Sequence, residues 1–131
     1  YVGNPNNIIC RSLWERKFCK YLDNNDSVIR WSSEEIWIPY ISTVDKEVHK
    51  YYPDFVFEVK KDNKVVTYMV EIKPEKQTIP PKSKKNKKTY LQESVQFEIN
   101  TCKWRAAEIY CKQHGWIFKI LTERNLFKQN G

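Results

Sequence analysis

The spacing of apolar residues predicts a helix near the start of the chain, over about residues 7–22. An asparagine supplies an N-cap, and the polar run "DNND" supplies a stop. One face of this helix carries an apolar stripe, formed by Trp14, Phe18 and Tyr21 with Leu22 beside it. Glu15 falls on the row of Phe18 and Leu22, so it either faces inward or is a surface glutamate that pairs with a neighbouring arginine.

Several segments then show the composition or the alternation of β-strands. "SVIRW" and "EEIWIPYI" are rich in isoleucine, valine and tryptophan, and Pro39 limits the second segment to a sheet edge or a bulge. Residues 52–60 and 65–73 alternate between apolar and polar positions, with "KDNK" near the point where they join. Asp62 and Asn63 suit a tight two-residue turn, so these two runs are predicted to form a β-hairpin.

A long helical pattern occupies about residues 89–114. Thr89 and Gln92 in "TYLQ" resemble a capping box, and Gly115 supplies a left-handed stop. "WIFKIL" then predicts a buried strand, and "TERNLF" a short terminal helix. The order of helix, three strands, helix and strand predicts an α/β domain built on a mixed four-stranded sheet flanked by helices. At 131 residues the chain is expected to form a single domain.

The turn of the predicted hairpin determines which of its residues face each other. If Asp62 and Asn63 form its centre, opposed residues have numbers that sum to 125, so Asp54 lies across from Glu71. Alternation places both acids and Lys73 on one face and the apolar residues on the other, namely Phe55, Phe57, Val59, Val70 and Ile72. Two carboxylates and a lysine are therefore predicted to converge at one end of the hairpin.

Two opposed carboxylates on a sheet repel each other, and partial burial increases the repulsion. A positive charge is needed to compensate them. Lys73 could supply it within a structural salt-bridge cluster that has no catalytic role. A divalent cation could also supply it, because carboxylate oxygens are ligands that Mg²⁺ and Mn²⁺ prefer. The residues alone leave both interpretations open.

The net charge of +7 is concentrated in one segment. "KSKKNKK", residues 82–88, holds five lysines and no acid, and without it the net charge falls to about +2. Such a run favours a polyanionic partner, either nucleic acid or an anionic membrane, or it forms a solvated loop. No apolar stretch approaches the roughly 20 residues that cross a bilayer, and no signal peptide is recognised. We therefore expect neither a membrane protein nor a secreted one.

Other residues with reactive side chains give weaker signals. The four cysteines show no CxxC spacing, so reduced thiols are favoured over a zinc site or disulfides. His49 has no partner at metal-ligand spacing and is interpreted as a loop or strand-edge residue. Glu34 and Glu35 are minor candidates that solvation at a strand edge explains as well. With three glycines, the chain has no Gly-rich phosphate loop, and no nucleotide cofactor is expected.

The sequence "PDF", followed sixteen residues later by "EIK", resembles the PD-(D/E)xK nuclease motif. Pro53 and Asp54 match its first part, and Glu71, Ile72 and Lys73 match its second. The wider segments "RSLWERKF", "WSSEEIWIPY" and "EIKPEKQTIPPK" resemble the head-completion nucleases of T4-like tailed phages, over nearly the whole chain. This resemblance implies a restriction-endonuclease-like core and a metal-dependent DNA nuclease that processes packaged DNA before heads join tails.

The resemblance also implies a role for each site residue. Asp54 and Glu71 would hold one or two Mg²⁺ ions, or Mn²⁺ in their place, with the backbone carbonyl of Ile72 as a further ligand. Glu15 resembles a first-helix carboxylate that many relatives add to the metal and catalytic site. Lys73 would orient the attacking water and stabilise the negative charge that gathers on phosphorus.

A flexible lysine-rich loop is expected at about residues 76–89. Five of its lysines would contact DNA phosphates without reading sequence, namely Lys82, Lys84, Lys85, Lys87 and Lys88. Lys103 and Arg105 on the long helix either extend this basic track or belong to a solvated helix face.

Other functions remain open for the same core. They are a transposase-type end-cleaving subunit, a junction resolvase, and a non-catalytic head-completion protein that binds DNA or the portal. The resemblance implies DNA as a partner, with phage head, portal or neck proteins as further partners. It also implies a location in the cytoplasm of an infected bacterial host or in the virion.

Overall fold

The structure is a computed structural model that describes residues 13–83 and 85–126. Its helices are α1 (Leu13–Asn24), α2 (Lys87–His114) and α3 (Glu123–Leu126), and a 3₁₀ turn covers Glu75–Thr78. Its strands are β1 (Val28–Ser33), β2 (Ile38–Ile41), β3 (Val48–Tyr51), β4 (Phe55–Lys61), β5 (Lys64–Ile72) and β6 (Ile117–Leu121). The predicted first helix is present but ends two residues later than expected, and residues 7–12 lie outside the described part.

Four strands form the main sheet, in the spatial order β1-β4-β5-β6. β1, β4 and β5 pair antiparallel, whereas β6 joins β5 in parallel. A parallel pair needs a long crossover connection, and α2 provides it between β5 and β6. The predicted mixed four-stranded sheet flanked by helices is therefore confirmed.

The predicted order counts three strands before α2, and the described chain has five. β3 gives no clear strand signal because its sequence, "VHKY", is short and half polar. β2 covers only the second half of "EEIWIPYI", since Glu34 has a φ of 51° and interrupts the extended backbone. β2 and β3 pair in a separate two-stranded sheet, where Pro39 lies on an edge strand as predicted.

The β4–β5 hairpin has the predicted register. Its opposed residues have numbers that sum to 125 throughout, from Phe55 with Val70 down to the turn. Asp62 and Asn63 have φ angles of 48° and 64°, the left-handed values of a two-residue type I′ turn. The predicted first strand starts three residues too early, because Pro53 has no N–H to donate to a strand ladder.

Each face of the main sheet is covered by its own apolar cluster. On one face α1 packs against the sheet, and the cluster comprises Phe18, Cys19, Leu22, Trp31, Phe55, Phe57, Val70 and Ile72. On the other face lie α2 and the β2–β3 sheet, with a cluster of Ile38, Tyr40, Tyr51, Met69, Trp104, Ala107 and Cys111. The hairpin is therefore sandwiched, so that polar side chains at its end lose water on both sides.

α2 begins at Lys87, two residues before the predicted start. Asn86 is its N-cap, because Asn86 Oδ1 accepts a hydrogen bond from the Thr89 N–H at 3.2 Å. The predicted Thr89 cap is therefore wrong, since asparagine caps a helix at least as well as threonine and occurs three residues earlier. Gly115, with a φ of 71°, stops the helix as predicted.

The loop predicted at residues 76–89 is shorter in the structure than in the prediction. The 3₁₀ turn occupies its start and the first turn of α2 occupies its end. Four of the five lysines predicted to bind DNA are exposed, namely Lys82, Lys85, Lys87 and Lys88, and Lys84 lies outside the described residues. The lysines thus lead into a helix and partly belong to it.

Two further features concern the chain as a whole. Cys19, Cys102 and Cys111 are free thiols, and Cys10 lies outside the described residues. None of the described helices combines the length and the apolar character that a membrane span requires. That the chain forms one domain stays a prediction.

Candidate active site

Asp54 and Glu71 come from opposite sides of the β4–β5 hairpin, at the end away from its turn. Asp54 immediately precedes β4, and Glu71 is the penultimate residue of β5, so the register of the hairpin sets them across from each other. Asp54 Oδ2 also accepts a hydrogen bond from the backbone N–H of Ile72, at 2.8 Å. This bond holds the Asp54 carboxylate against the end of β5, next to Glu71.

The environment of Asp54 disfavours its negative charge. Burial is the largest cause and the neighbouring Glu71 the next, and together with Glu15 they raise the pKa of Asp54 to about 8. The hydrogen bond from Ile72 opposes this shift but does not cancel it. At neutral pH the metal-free site therefore keeps a proton on an acid that would be ionised in water.

Glu71 is buried, with only 6% of its surface exposed, and each of its oxygens has a partner. The Tyr51 hydroxyl donates to Oε2 at 2.6 Å, and the Lys73 Nζ lies 3.5 Å from Oε1. Burial raises the pKa of Glu71, whereas the Tyr51 hydrogen bond and the charges of Lys73 and Lys103 lower it. The Tyr51–Lys73 pair therefore orients this carboxylate without making its charge favourable.

Glu15 faces inward, which resolves the two alternatives left open by its position on the first helix. It is 9% exposed on α1, and it interacts with Asp54 through charge and a side-chain hydrogen bond. α1 packs against the main sheet through Phe18 and Leu22, one and two turns further along. The packing of α1 through its apolar stripe thus places Glu15 next to Asp54.

Two residues of this site give little sequence signal. Tyr51, 3% exposed, ends β3, the strand that the pattern does not predict. Lys103 on α2 lies with its Nζ 5.8 Å from the centre of the Tyr51 ring. Burial and the charge of Lys73 lower the pKa of Lys103, while Glu71 and Asp54 partly restore it. Lys103 therefore belongs to the site rather than to a solvated helix face, whereas Arg105 is exposed.

A helical row could have indicated the position of Lys103. The buried residues of α2 are Asn100, Trp104, Ala107 and Cys111, which follow the i, i+4, i+7 pattern of one helix face. Lys103 is three residues after Asn100 and four before Ala107, so it lies on the edge of that face. Tyr51 has no comparable signal.

The side chains at this site suit a hard divalent cation. Glu15 and Glu71 both lie near enough to Asp54 at one end of the hairpin to raise its pKa, but among the described residues only Asp45, Glu47 and His49 place three ligand atoms within 4.8 Å of one another. Carboxylate oxygens are the ligands that Mg²⁺ and Mn²⁺ prefer, and burial, followed by the charge of Glu71, raises the pKa of Asp54, so that a bound cation would favour its ionised form. The predicted ligation by the Ile72 carbonyl, and the catalytic roles of all these residues, stay predictions.

A second acidic group lies on the β2–β3 hairpin. His49 lies on the edge strand β3, as predicted, but the prediction that it has no partner at metal-ligand spacing is wrong. Asp45, Glu47 and His49 each place one ligand atom within 4.8 Å of the others, and His49 Nε2 lies 2.6 Å from Asp45 Oδ2. His49 thus has partners at metal-ligand spacing, because residues i, i+2 and i+4 converge around this turn. Asp45 and Glu47 are exposed.

The minor candidates Glu34 and Glu35 differ in their relation to the site. The backbone N–H of Glu34 donates to the carbonyl of Asp54 at 3.3 Å, so Glu34 helps to position the start of β4. Glu35 is exposed.

Comparison with known proteins identifies the family of this chain. A family model described as TnsA-like endonuclease N terminal matches residues 25–123. The chain belongs to the TnsA-like endonuclease family. The matched region includes Asp54, Glu71, Lys73 and Lys103, whereas Glu15 precedes it. Because this family has a restriction-endonuclease-like fold, membership confirms the predicted fold class.

A curated relative of this TnsA-like chain is the head completion nuclease of Enterobacteria phage T4. The two are 36% identical over 131 residues, which cover 96% of this chain and 85% of that protein. No solved structure matches the chain significantly.

Proposed function

We propose that this protein is a divalent-metal-dependent DNA nuclease that hydrolyses phosphodiester bonds. The observation that carries the proposal is the pair of opposed carboxylates, the half-buried Asp54 and the buried Glu71, beside Lys73, in a chain of an endonuclease family. Such a pair raises the free energy of the metal-free fold, and a cation offsets that cost. A purely structural site would be more stable with apolar residues of similar size.

Asp54 and Glu71 would hold the metal, with Glu15 and the Ile72 carbonyl as further ligands. Mg²⁺, or Mn²⁺ in its place, would act there as a Lewis acid and would lower the pKa of a water molecule. The Tyr51 hydroxyl, 2.6 Å from Glu71 Oε2, would keep that carboxylate in one orientation. The hydrogen bond from Ile72 would do the same for Asp54.

Lys73 and Lys103 would supply the positive charge that the reaction needs. Lys73 reaches the site from β5, and Lys103 reaches it from α2, so they approach the carboxylates from different elements. Lys73 would orient the attacking water, and both ammonium groups would stabilise negative charge on the phosphate as it becomes five-coordinate. Neither lysine needs to transfer a proton for this role.

The exposed lysines before and within the start of α2 would bind the DNA backbone. Lys87 precedes Lys103 by sixteen residues of one helix, which is about 24 Å along its axis. DNA rises about 3.4 Å per base pair, so these lysines would contact phosphates several base pairs from the cleaved bond. The DNA would then lie along α2, across the carboxylates.

A role in head completion is the biological setting we propose. It rests on the 36% identity to the head completion nuclease of phage T4 over most of both chains. In that setting the protein would process packaged DNA, and it would contact head or portal proteins in the infected cell. Cleavage of transposon ends is a second candidate, which the match to the TnsA-like family favours.

Incubation of supercoiled and linear plasmid DNA with the protein, in Mg²⁺ or in EDTA, tests the nuclease proposal. We expect conversion of the substrate in Mg²⁺ only, loss of that activity in Lys73→Met, and wild-type activity in Lys50→Met, a matched lysine on the β2–β3 sheet. Mg²⁺-independent cleavage, or full activity in Lys73→Met, would contradict the proposal. Plain, branched and transposon-end duplexes under the same conditions distinguish head completion from cleavage of transposon ends. A head-completion nuclease should cleave the plain duplex in addition to the other two.

A further inference from the structure

A cavity of about 510 Å³ lies between the chain segment after β5 and the first half of α2. Its apolar wall is formed by Ile79, Pro80, Pro81 and Phe97. The volume falls within the roughly 300–1,000 Å³ of sites that bind small organic groups. The cavity is separate from the carboxylate group, and none of the site residues described above lines it.

Polar groups line the inner wall of this cavity. Asn100 is 2% exposed, and its Oδ1 accepts a hydrogen bond from Gln96 Nε2 at 3.0 Å. This contact orients both side-chain amides on the α2 wall, next to Phe97. A planar aromatic ring beside oriented amides is the combination that proteins use to hold a nucleobase, by stacking and by hydrogen bonds to its edge.

The charge around the cavity favours an anionic ligand. Lys76 and Lys82 lie on its rim, and the single acid in its lining is Glu93. Lys85, Lys87 and Lys88 follow directly in the chain. The phosphates on either side of an inserted base would therefore meet lysines, whereas a neutral apolar ligand would gain nothing from them.

The cavity adjoins the candidate active site through both of its walls. Lys76 is three residues after Lys73, and Asn100 is one helical turn before Lys103. One turn of helix advances about 5.4 Å, which corresponds to between one and two steps of the DNA rise of about 3.4 Å per nucleotide. A DNA strand with one phosphate between Lys73 and Lys103 would thus bring a nearby base to the cavity mouth.

We propose that this cavity receives one unstacked base of the DNA substrate, close to the phosphate that is cleaved. The inference rests on the proposed nuclease function for its choice of DNA as the ligand. A base that must leave its stack enters most readily from single-stranded, frayed or mismatched DNA, because less stacking energy is lost there. The protein should therefore bind such DNA in preference to an intact duplex.

The test compares base-bearing and abasic DNA. The probe is a short single-stranded oligonucleotide with one central 2-aminopurine, and its partner carries an abasic residue at the same position. Binding is measured in the Lys73→Met background, so that the DNA stays intact. We expect a change in 2-aminopurine emission on binding, and about tenfold weaker binding of the abasic strand, as one base stacked on an aromatic ring implies.

Matched variants on α2 locate the effect. Phe97→Ala and Gln96→Ala remove cavity groups, whereas Leu91→Ala and Gln92→Ala change exposed residues of the same helix that do not line the cavity. We expect the preference for base-bearing DNA to disappear in the first pair and to persist in the second. The Lys73→Met protein with an unchanged cavity tests the inference without any cavity variant. If it bound the base-bearing and the abasic strand equally well, the inference would be overturned.

Further outcomes separate a base-binding cavity from the nuclease site and from a contact between protein chains. Metal-dependent cleavage with no base preference would leave the nuclease proposal intact and reject the cavity assignment. A preference for base-bearing DNA without any cleavage in Mg²⁺ would reject the nuclease proposal and leave the cavity assignment intact. If Phe97→Ala altered the sedimentation of the protein but not its base preference, the cavity would be a contact between protein chains, and the inference would be wrong.

Discussion

Two β-hairpins in the described part of the chain carry acidic residues, and they place them in opposite environments. At the end of the β4–β5 hairpin, Asp54 and Glu71 lie between α1, α2 and the sheet, and burial raises the pKa of each. On the β2–β3 hairpin, Asp45 is exposed, and the N–H of Glu47 with the His49 side chain lowers its pKa. The same type of side chain is thus energetically unfavourable in one hairpin and favourable in the other.

The difference shows that the packing around an acidic cluster, more than its composition, indicates chemical function. The Asp45 group satisfies its charge with a backbone amide and an imidazole, at 2.9 and 2.6 Å, and water solvates the rest. Burial raises the pKa of both Asp54 and Glu71, and their protein partners do not offset this loss of solvation. We therefore expect the metal and the reaction at the buried hairpin, and the predictions below test this contrast.

The largest expected effect is on cleavage. Asp54→Asn and Glu71→Gln keep the shape of each side chain but remove its charge, so we expect about 10²–10³-fold slower DNA cleavage in Mg²⁺. Asp45→Asn and Glu47→Gln are the matched changes on the exposed hairpin, and they should leave the rate within about twofold. Initial rates on supercoiled DNA measure this, and equal losses at both hairpins would remove the contrast.

The next effect concerns Lys103 and Lys50, which are two of the described lysines that lie over aromatic rings. Lys103 Nζ is 5.8 Å from the Tyr51 ring centre, and Lys50 Nζ is 4.7 Å from the Trp37 ring centre. Because Lys103 lies beside Glu71, we expect Lys103→Met to lower kcat by about 10- to 100-fold with little change in KM. Lys50→Met is the control. A change confined to KM would assign Lys103 to DNA binding alone.

A third effect is on the salt dependence of DNA binding. Replacing Lys82, Lys84, Lys85, Lys87 and Lys88 with glutamine should reduce the slope of log affinity against log salt by about 4 to 5, if all five contact phosphates. Lys46→Gln with Lys50→Gln, on the exposed hairpin, should change it little. Binding titrations at several salt concentrations measure the slope, and an unchanged slope in the five-lysine variant would reject this interface.

The smallest effect is on stability, and it has opposite signs in the two hairpins. Between its ordinary pKa of 3.8 and its folded value of about 8, Asp54 holds a proton that the unfolded chain has lost. In EDTA the free energy of unfolding should therefore fall as the pH rises from about 4 to 8. Asp54→Asn should flatten this dependence and stabilise the protein at pH 8, by on the order of 2 kcal/mol.

Asp45 should behave in the reverse manner. Its lowered pKa contributes stability above its ordinary value of 3.8, and this contribution is lost as the pH falls through the folded pKa. Asp45→Asn should therefore destabilise the protein slightly at neutral pH. Urea denaturation of both variants between pH 3 and 9 measures the two signs. If both substitutions changed the free energy of unfolding in the same direction, the assigned environments would be contradicted.

The parts of the fold that depend on local chemistry could be predicted from the sequence. Asp62 and Asn63 accept positive φ angles, and this single turn sets the register that places Asp54 across from Glu71. Gly115 marks the end of α2 for the same kind of reason. Alternation separates the side chains of β4 and β5 onto two faces, but it does not reveal that an apolar cluster covers each face.

The remaining features depend on contacts between distant segments. Tyr51 joins the site because β3 pairs with β2. The sequence does not reveal this pairing, because β3 is only four residues long and half of them are polar. The helical row places Lys103 at the edge of the buried face of α2, but its position beside the carboxylates becomes evident only when α2 is placed on the sheet. Glu15 has two plausible environments on an isolated helix, and packing of α1 selects the buried one. His49 acquires its partners only when the turn of the β2–β3 hairpin brings them together.

A calorimetric titration with Mn²⁺ tests the central claim most directly, because it measures metal binding independently of cleavage. Three proteins are compared: the unmodified chain, Glu71→Gln, and a variant that combines Asp45→Asn with His49→Gln. We predict that the unmodified chain and the exposed-hairpin variant bind Mn²⁺ alike, and that Glu71→Gln loses the binding heat. Retained binding in Glu71→Gln, with loss in the exposed-hairpin variant, would contradict the account and move the metal to the β2–β3 hairpin.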